Sequence, residues 1–396
     1  MERKLKIAVF GTASLPIPPF EGYGGTQRGI YDFITHMNQK GHKIHLFGPG
    51  DSQVSHLENL VLHSFVPKSL WIPENDLPIE TKRKLSKEHY KKAIKRLEKI
   101  DNSENIDIIN VRSDSRVQEI SEKFGSERIV YSMHNLKNQS RIDMIKSSGI
   151  QCIAHCRNHK EQHENLSNIK VITYGINVAT YPFSPHTLTQ TNEFPQLEIL
   201  KKLKENNQDY LITLGAIGIH KGQKTSAELA LESKIPLIIA GEPQDRTSNE
   251  KGKYFNENIV PLVDNEKIFY FGNANEEQKK ELLKYAKGFL FPSGYEDRTW
   301  EEPFGRAPVE SLSTGTPVIA YKKGSMNEII FDSFNGYLFD SSEEAIKRIK
   351  SLDNIDRIDC RKTVEKKFDS RRVIDEYEEL FYDMVKRNNK NNFFFT

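Results

Sequence analysis

The sequence has few cysteines, a nearly balanced charge and no long apolar run. Three cysteines among 396 residues do not make a disulfide framework, which predicts a reducing compartment such as the cytoplasm. A formal net charge of +2 does not indicate a nucleic-acid partner. No segment approaches the ~18 to 20 apolar residues of a membrane span. The opening MERKLKIAVFGTAS has too short an apolar run for a signal peptide and predicts a first strand.

One segment is rich in lysine. The run KEHYKKAIKRLEK, residues 87–99, could touch an anionic surface. Such a pattern is more typical of the solvated face of a helix. The sequence therefore leaves peripheral contact with a membrane open.

Short apolar runs recur along the chain and predict buried strands. Each has four to seven residues, is rich in β-branched or aromatic side chains, and ends at Gly, Pro, Asn or Asp. In the first half they are 5–11, 43–48, 105–111, 128–134, 150–155 and 170–175. In the second half they are 209–215, 236–241, 267–272, 288–293 and 316–321.

Helical patterns separate most of these runs. One predicted helix carries Ile30, Phe33, Ile34 and Met37 on a single face, and a later one carries Leu282, Leu283 and Ala286. Alternating strands and helices predict parallel sheets covered on both faces. Two such series, of about six and five strands, predict an α/β chain with two doubly wound domains. The join is expected within 177–194, which is rich in Pro, Thr and Asn.

Ligands of open parallel sheets bind at the carboxyl ends of the strands, so the loops there are the candidate sites. After the run 209–215, the glycines Gly218 and Gly222 surround His220 and Lys221 and precede a helix. Amides at a helix start and a lysine charge suit a diphosphate. A glycine turn with a solvated lysine explains the pattern equally well.

Two features of the first half are less specific. His134 ends a predicted buried strand, where a packed side chain is the more usual role. Gly24 and Gly25 begin a predicted helix, which favours an anion or close packing. Their spacing does not fit the dinucleotide-binding fingerprint.

The segment EEPFGRAPVESLSTGTPVIA, residues 301–320, places two carboxylates around a helix start. Glu302 lies in the loop before the helix, Gly305 lies at its first turn, and Glu310 lies about five residues into it. The free amides of a helix start attract anions. The pattern suits a ligand with hydroxyls at both ends and a phosphate in the middle, such as a sugar nucleotide. A glycosidase pair would need carboxyl groups ~5 Å apart and would leave the phosphate loops unused.

A metal site is the other candidate. The segment CIAHCRNH brings Cys152, His155, Cys156 and His159 together, and helical spacing would pair the cysteines and the histidines. The two-residue cysteine knuckle of zinc sites is absent, and the segment falls where a strand becomes a helix. We expect no metal here. The chain also lacks an Asp-x-Asp pair, so a bound diphosphate would depend on amides and Lys221.

These motifs resemble the retaining glycosyltransferases of family 4. The segment 301–330 matches that family's signature and 214–222 its phosphate loop, with further likeness at 18–29, 46–52, 172–184 and 368–385. The resemblance implies a GT-B architecture, in which two Rossmann-like domains face each other across a cleft. It implies an acceptor-side domain over 1–180, a nucleotide-sugar domain over 195–369, and a closing helix, 370–388, that returns to the first domain.

The resemblance also implies roles for single residues. Glu310 would bind the ribose, Glu302 the donor sugar, and Lys221 the diphosphate, with His134 near the reaction centre. The implied catalytic set is His134, Glu302 and Lys221. The implied donor-binding set is Gly24, Gly25, Gly218, His220, Lys221, Gly272, Asn273, Glu302, Phe304, Gly305, Arg306 and Glu310.

The implied reaction moves a sugar from a nucleotide diphosphate sugar to a hydroxyl of a glycan, a lipid-linked acceptor or a small molecule. The anomeric configuration is retained, and no metal or other cofactor is expected. One departure is that many family members have an arginine where this chain has Ala216; Arg298, Arg306 or His220 are candidates to compensate. The departure leaves open a non-catalytic sugar-nucleotide binder and a sugar-nucleotide epimerase or phosphorylase of the same architecture.

Overall fold

The computed structural model describes residues 3–20, 24–72, 75–112, 116–134, 139–164, 166–243 and 252–393. Its contacts divide the chain into two compact units. Unit 1 holds Gly24–Gly175, the described residues before them and those from Ser370 on, and unit 2 holds Ile176–Asp369. The sequence predicts the boundary between the two domains within 177–194. In the structure the boundary lies between Gly175 and Ile176, just before that segment.

Unit 1 alternates strands with helices. Its strands are β1 (Lys6–Phe10), β2 (Lys43–Phe47), β3 (Leu60–His63), β4 (Ile108–Val111), β5 (Ile129–Ser132), β6 (Gln151–Ala154) and β7 (Ile169–Val171). Its helices before residue 176 are α1 (Gly25–Gln39), α2 (Ile79–Glu104), α3 (Val117–Phe124), α4 (Gln139–Ser148) and α5 (Arg157–Glu161).

The strands of unit 1 form one parallel sheet in the order β3-β2-β1-β4-β5-β6-β7. Side chains alternate between its two faces. Ile7 and Val9 join the hydrophobic cluster on one face, and Ala8 and Phe10 join the cluster on the other. Because both faces are covered, the central strands are continuous apolar runs rather than alternating ones.

Unit 2 repeats this organisation. Its strands are β8 (Leu211–Leu214), β9 (Leu237–Ala240), β10 (Ile268–Gly272), β11 (Gly288–Phe291), β12 (Val318–Tyr321) and β13 (Gly336–Phe339). Its helices are α6 (Glu198–Glu205), α7 (Gln223–Ser233), α8 (Lys253–Asn258), α9 (Glu276–Lys284), α10 (Arg306–Ser313), α11 (Met326–Ile329), α12 (Ser342–Lys350) and α13 (Arg357–Lys367). The last helix, α14 (Ser370–Phe393), belongs to unit 1 and packs on α1 there.

The strands of unit 2 are also parallel, in the order β10-β9-β8-β11-β12-β13. The strand order reverses between β8 and β11. Ligands of open α/β sheets bind where the order reverses, outside the carboxyl ends of the strands. The loops after β8 and β11, which carry Lys221 and Glu302, thus begin at neighbouring strand ends.

The segment 176–194 packs into unit 2 although it lacks periodicity. Leu188 is fully buried, and its amide donates to the carbonyl of Tyr285 at 3.0 Å. The buried guanidinium of Arg357 donates to the carbonyls of Ser184 at 2.9 Å and Ala286 at 2.8 Å. These partners lie far away in the sequence, so the local pattern does not reveal them. They explain why a segment with the composition of a loop is buried in the core of unit 2.

Every predicted apolar run coincides with or overlaps a strand, but two strands escape the sequence pattern. Both β3 and β13 are edge strands of their sheets. In β3, Val61 is 41% exposed, so the run is not apolar enough to predict a buried strand. Over the described part of the chain, no helix combines the length and the apolar character needed to cross a membrane.

Candidate active site

The loop after β8 is shaped by a glycine. Gly222 has φ of 73° and begins α7. A Cβ atom there would lie 2.7 Å from the carbonyl oxygen of Pro292, at the end of β11. Only glycine accepts both the left-handed backbone and this close approach. The two loops therefore pack tightly where Lys221 precedes the turn.

Lys221 forms an ion pair with Glu302. The Nζ of Lys221 donates to the carboxylate of Glu302. The same carboxylate oxygen accepts from Ser293 Oγ at 3.3 Å and from Trp300 Nε1 at 3.4 Å. The lysine also lies 5.3 Å from the centre of the Trp300 ring, which is cation–π range. A cation, a carboxylate and an aromatic ring therefore meet at the carboxyl edge of the sheet.

The pKa of Glu302 falls below its usual value. Burial alone would raise it, but the charge and hydrogen bond of Lys221, with smaller help from Trp300 and His220, outweigh that effect. Glu302 is therefore ionised at neutral pH. An ionised carboxylate accepts hydrogen bonds strongly, which suits sugar hydroxyls.

The start of α10 offers a donor for an anion. Gly305 has φ of 82° and precedes the first helical residue, Arg306. Among the backbone–backbone hydrogen bonds of the described residues, none is donated by the Gly305 amide. The Phe304 ring is buried against Phe368, with ring centres 5.7 Å apart. The aromatic side chain thus anchors the turn, while the glycine amide supplies the helix-end site.

Glu310 is paired with two cations. It is 4% exposed, and Lys279 Nζ lies 3.0 Å from its Oε2. Arg306 Nε lies 3.5 Å from its Oε1. Glu302 and Glu310 are therefore each paired with a lysine from a different helix or loop.

A small pocket opens at the carboxyl ends of β8, β9 and β10. Gly215, Gly241, Asn273 and Lys279 are among its lining residues. Gly272 closes the end of β10 and accepts the Gly241 amide at 2.8 Å. Glycine backbone on one wall and polar groups on the other suit a flat, polar ligand.

The amides predicted to be free at the start of α7 have protein partners. The Lys224 amide donates to Tyr254 Oη at 3.2 Å, and the Thr225 amide donates to Glu296 at 3.0 Å. The Gly218 amide donates to the side chain of Gln223 at 3.2 Å. The amides of Gly218 and Thr225 therefore have protein acceptors in Gln223 and Glu296.

The three candidates to replace the absent arginine at Ala216 have other neighbours. The Arg298 guanidinium lies 4.7 Å from the Tyr295 ring and donates to Tyr321. Arg306 faces Glu310, as described above. The His220 ring packs against Trp300 with centres 4.8 Å apart, which places it beside the ion pair.

The cysteine and histidine segment does not form a metal site. Cys152 lies in β6, whereas Cys156 precedes α5 and accepts the His159 amide at 3.2 Å. The helical face that would pair the cysteines does not exist, since strand and helix meet between them. Throughout the described residues, no three or more His, Cys, Asp or Glu side chains are grouped to hold a metal ion.

In unit 1, His134 follows β5 and lies among other rings. Its Nδ1 is hydrogen-bonded to Tyr174 Oη, and its ring centre lies 5.6 Å from that of His155. Burial, then the charges of Arg112 and His159, lower the pKa of His134 to about 3. The imidazole is thus neutral at physiological pH, and no described residue partners its Nε2.

The glycines Gly24 and Gly25 stand at the start of α1 in unit 1. Gly24 has φ of 137°, and a Cβ atom there would lie 2.4 Å from Pro19. Close packing therefore accounts for Gly24.

Sequence reasoning missed several residues that shape the site. They are Tyr174, Gln223, Lys279, Glu296 and Trp300. Only Lys279 left a usable signal: it lies on the face of α9 that carries Leu282 and Leu283, where a lysine is out of place. The others depend on partners brought together by the fold.

The second unit matches a known family. Residues 196–367 fit the model of glycosyl transferases group 1. Among curated proteins, the lipopolysaccharide 1,2-N-acetylglucosaminetransferase of Salmonella typhimurium is 23% identical over 252 residues, or 61% of each chain. The matched regions cover at most about three fifths of the length of the curated relatives.

Solved structures resemble the chain over nearly its whole length. The sucrose-phosphate synthase of Thermosynechococcus elongatus has a TM-score of 0.74 at 14% identity, covering 97% of this chain and 100% of its own. The Anabaena protein HepE, solved with UDP-glucose, has a TM-score of 0.68 at 16% identity, covering 96% and 100%. These likenesses show the GT-B fold with two Rossmann-like domains. The family match lies within unit 2.

Proposed function

We propose that the chain is a retaining glycosyltransferase of family 4. It would transfer a sugar from a nucleotide diphosphate sugar to an acceptor hydroxyl without a resident metal. The observation that carries the proposal is the pair of lysine–glutamate contacts around the start of α10. One is Lys221 with Glu302, and the other is Lys279 with Glu310.

Lys221 is assigned to the leaving group. When the bond between the sugar C1 and the diphosphate oxygen breaks, its electron pair stays on that oxygen. The ammonium of Lys221 and the amide of Gly305 would oppose the growing negative charge. The acceptor oxygen bonds to C1, and its proton goes to the leaving phosphate oxygen. Attack from the face that the diphosphate leaves retains the configuration without a protein nucleophile.

The remaining groups are assigned to recognition. The ionised Glu302 would accept hydrogen bonds from the donor sugar, and Glu310 from the ribose. The pocket of Gly215, Gly241 and Asn273 suits the base, since flat rings lie well on glycine backbone. In unit 1, the neutral His134 has an unpartnered Nε2 within the described chain, and we assign this atom to the sugar.

The nature of the donor and the acceptor is also a proposal. The relatives suggest UDP-sugars as the first donors to test, since HepE was solved with UDP-glucose. The acceptor is a glycan, a lipid-linked molecule or a small molecule. We place the protein in the cytoplasm and assign no nucleic-acid partner.

Peripheral contact with an anionic membrane is supported by one face of unit 1. The helix α2 exposes a series of cations: Arg83, Lys84, Lys87, Lys91, Lys92, Lys95, Arg96 and Lys99. Ile79, the first residue of α2, is 62% exposed, and Trp71, eight positions earlier in the sequence, is 43% exposed. Cations beside apolar side chains bind anionic interfaces. Co-sedimentation with vesicles containing phosphatidylglycerol, but not with pure phosphatidylcholine vesicles, is the expected result.

The experiment is to incubate the protein with UDP-, GDP- and ADP-sugars and a panel of acceptor sugars. Release of nucleoside diphosphate is expected, with a product whose anomeric proton coupling matches that of the donor. The rate should be unchanged by EDTA. An inverted product would contradict the retaining mechanism, and binding without turnover would favour a sugar-nucleotide binder.

A further inference from the structure

Lys279 is a lysine in a place that favours an apolar side chain. It is 2% exposed, on the face of α9 that buries Leu282 and Leu283. Burying an ammonium costs several kcal/mol before any pairing, and replacing a buried ion pair by apolar groups is often neutral or stabilising. Packing alone therefore does not explain the lysine.

Lys279 contacts three oxygen atoms. Nζ lies at ion-pair distance from two carboxylates, 3.0 Å from Glu310 Oε2 and 2.9 Å from Glu276 Oε1. It also donates a hydrogen bond to Tyr181 Oη at 3.5 Å. The lysine is thus held in one position and fixes the Glu310 oxygen that it contacts.

The charges around this lysine balance. Lys279 and Arg306 face Glu310 and Glu276. Lys279 also lines the pocket at the ends of β8, β9 and β10. It therefore joins the buried carboxylate of Glu310 to the space that the proposed function gives to the nucleoside.

We propose that Lys279 is a positioning residue that keeps Glu310 ionised and aimed at the ribose of a ribonucleoside diphosphate. The inference rests on the proposed function. Without the lysine, the buried carboxylate loses its closest cation and takes up a proton more readily. A protonated Glu310 is a weaker acceptor for the ribose hydroxyls. Lys279 would then act on donor affinity rather than on the chemical step.

The test uses calorimetric binding of UDP, GDP and ADP and of their 2′-deoxy counterparts. The wild type should prefer the ribose form of its nucleotide by about tenfold or more, the range of one charge-assisted hydrogen bond. In Lys279→Met this preference should nearly vanish at pH 7 and return as the pH rises, because Glu310 then ionises. The matched control is Lys280→Met, one position along α9, which should keep the preference.

A purely structural lysine would give a different pattern. Lys279→Met would then weaken ribose and deoxyribose forms equally, with no dependence on pH, and this would overturn the inference. If Lys279→Met does not fold, Glu310→Gln and the double variant Lys279→Met/Glu310→Gln decide. If both variants have the same preference for the ribose form over the 2′-deoxy form, the inference is supported. A smaller preference in the double variant than in Glu310→Gln would overturn it. Failure of the wild type to bind any nucleotide overturns the proposed function and this inference with it.

Discussion

Lys221 and Glu302, 81 positions apart in the sequence, form an ion pair at the carboxyl edge of the second sheet. The pairing joins the loop after β8 to the segment 301–330. A diphosphate would therefore compete with Glu302 for the same ammonium. On donor binding, the diphosphate would replace the Glu302 carboxylate as the anion paired with Lys221.

Lys221→Ala should lower kcat for sugar transfer by about 10²- to 10³-fold, the usual cost of removing one group that stabilises a developing oxyanion. The reason is that Lys221 is the cation that forms the ion pair with Glu302 in this structure. Steady-state rates with the best donor measure the effect. The matched control is Lys347→Ala on the exposed face of α12. Turnover near that of the wild type would contradict the assignment of Lys221.

Unit 1 should be sensitive to acid. Burial lowers the pKa of His63, His89 and His159 from 6.5 to about 4. Above pH 6.5 these histidines are neutral in both the folded and the unfolded chain. As the pH falls toward 4, the unfolded chain takes up protons that the folded chain does not, so the free energy of unfolding decreases. For His89 alone the difference amounts to at most about 3 kcal/mol. Urea unfolding at pH 8, 6 and 5 measures the loss.

A single variant separates this effect from general acid unfolding. His89 Nδ1 accepts the Phe65 amide at 3.3 Å, and the ring is 1% exposed. In His89→Gln the amide keeps an acceptor, but the group no longer titrates, so the loss between pH 6.5 and 4 should shrink. The same replacement at His56, on the surface, is the control. An unchanged pH dependence in His89→Gln would contradict this explanation.

Gly222→Ala should weaken donor binding as well as folding. A left-handed glycine replaced by alanine loses about 1 kcal/mol or more, and at this position the new Cβ would also meet Pro292. The loop that carries Lys221 must then move. Gly149 also has a positive φ, of 71°, but a Cβ there meets nothing within 4 Å. Gly149→Ala should therefore lose stability only, and equal donor affinities in the two variants would contradict the role of Gly222.

Arg357 should be the strongest structural anchor of the segment 176–194. It donates to the carbonyls of Ser184, Ala286 and Lys284 and to Thr316 Oγ1. Arg357→Met removes a donor from each of these oxygens, although the Ala286 carbonyl keeps Thr316 Oγ1 at 3.3 Å. Each buried oxygen that is left unpaired costs about 1 to 3 kcal/mol. Denaturant unfolding should show a loss of several kcal/mol. Arg372→Met on α14, whose side chain is half exposed, is the control, and equal losses would contradict the anchoring role.

The fold was predictable because parallel strands covered on both faces leave apolar runs. The edge strand β3 was missed for the same reason, since it is only partly covered. The edge strand β13 was also missed, although most of its residues are buried. The two signature carboxylates were visible through their spacing around a helix start. Their lysine partners were not, because Lys221 and Lys279 lie 81 and 31 positions away from Glu302 and Glu310. Glu296 accepts a hydrogen bond from the amide of Thr225. This contact could not be predicted either, because the two residues are 71 positions apart.

The most direct test of the account is a thermal-shift screen of UDP-, GDP- and ADP-sugars against the wild type, Lys221→Ala and Glu310→Ala. Binding to the folded state raises the apparent Tm by mass action. We predict that at least one sugar nucleotide raises the Tm of the wild type and that the shift is lost or strongly reduced in both variants. No shift with any sugar nucleotide, or equal shifts in all three proteins, would contradict a donor site around the start of α10.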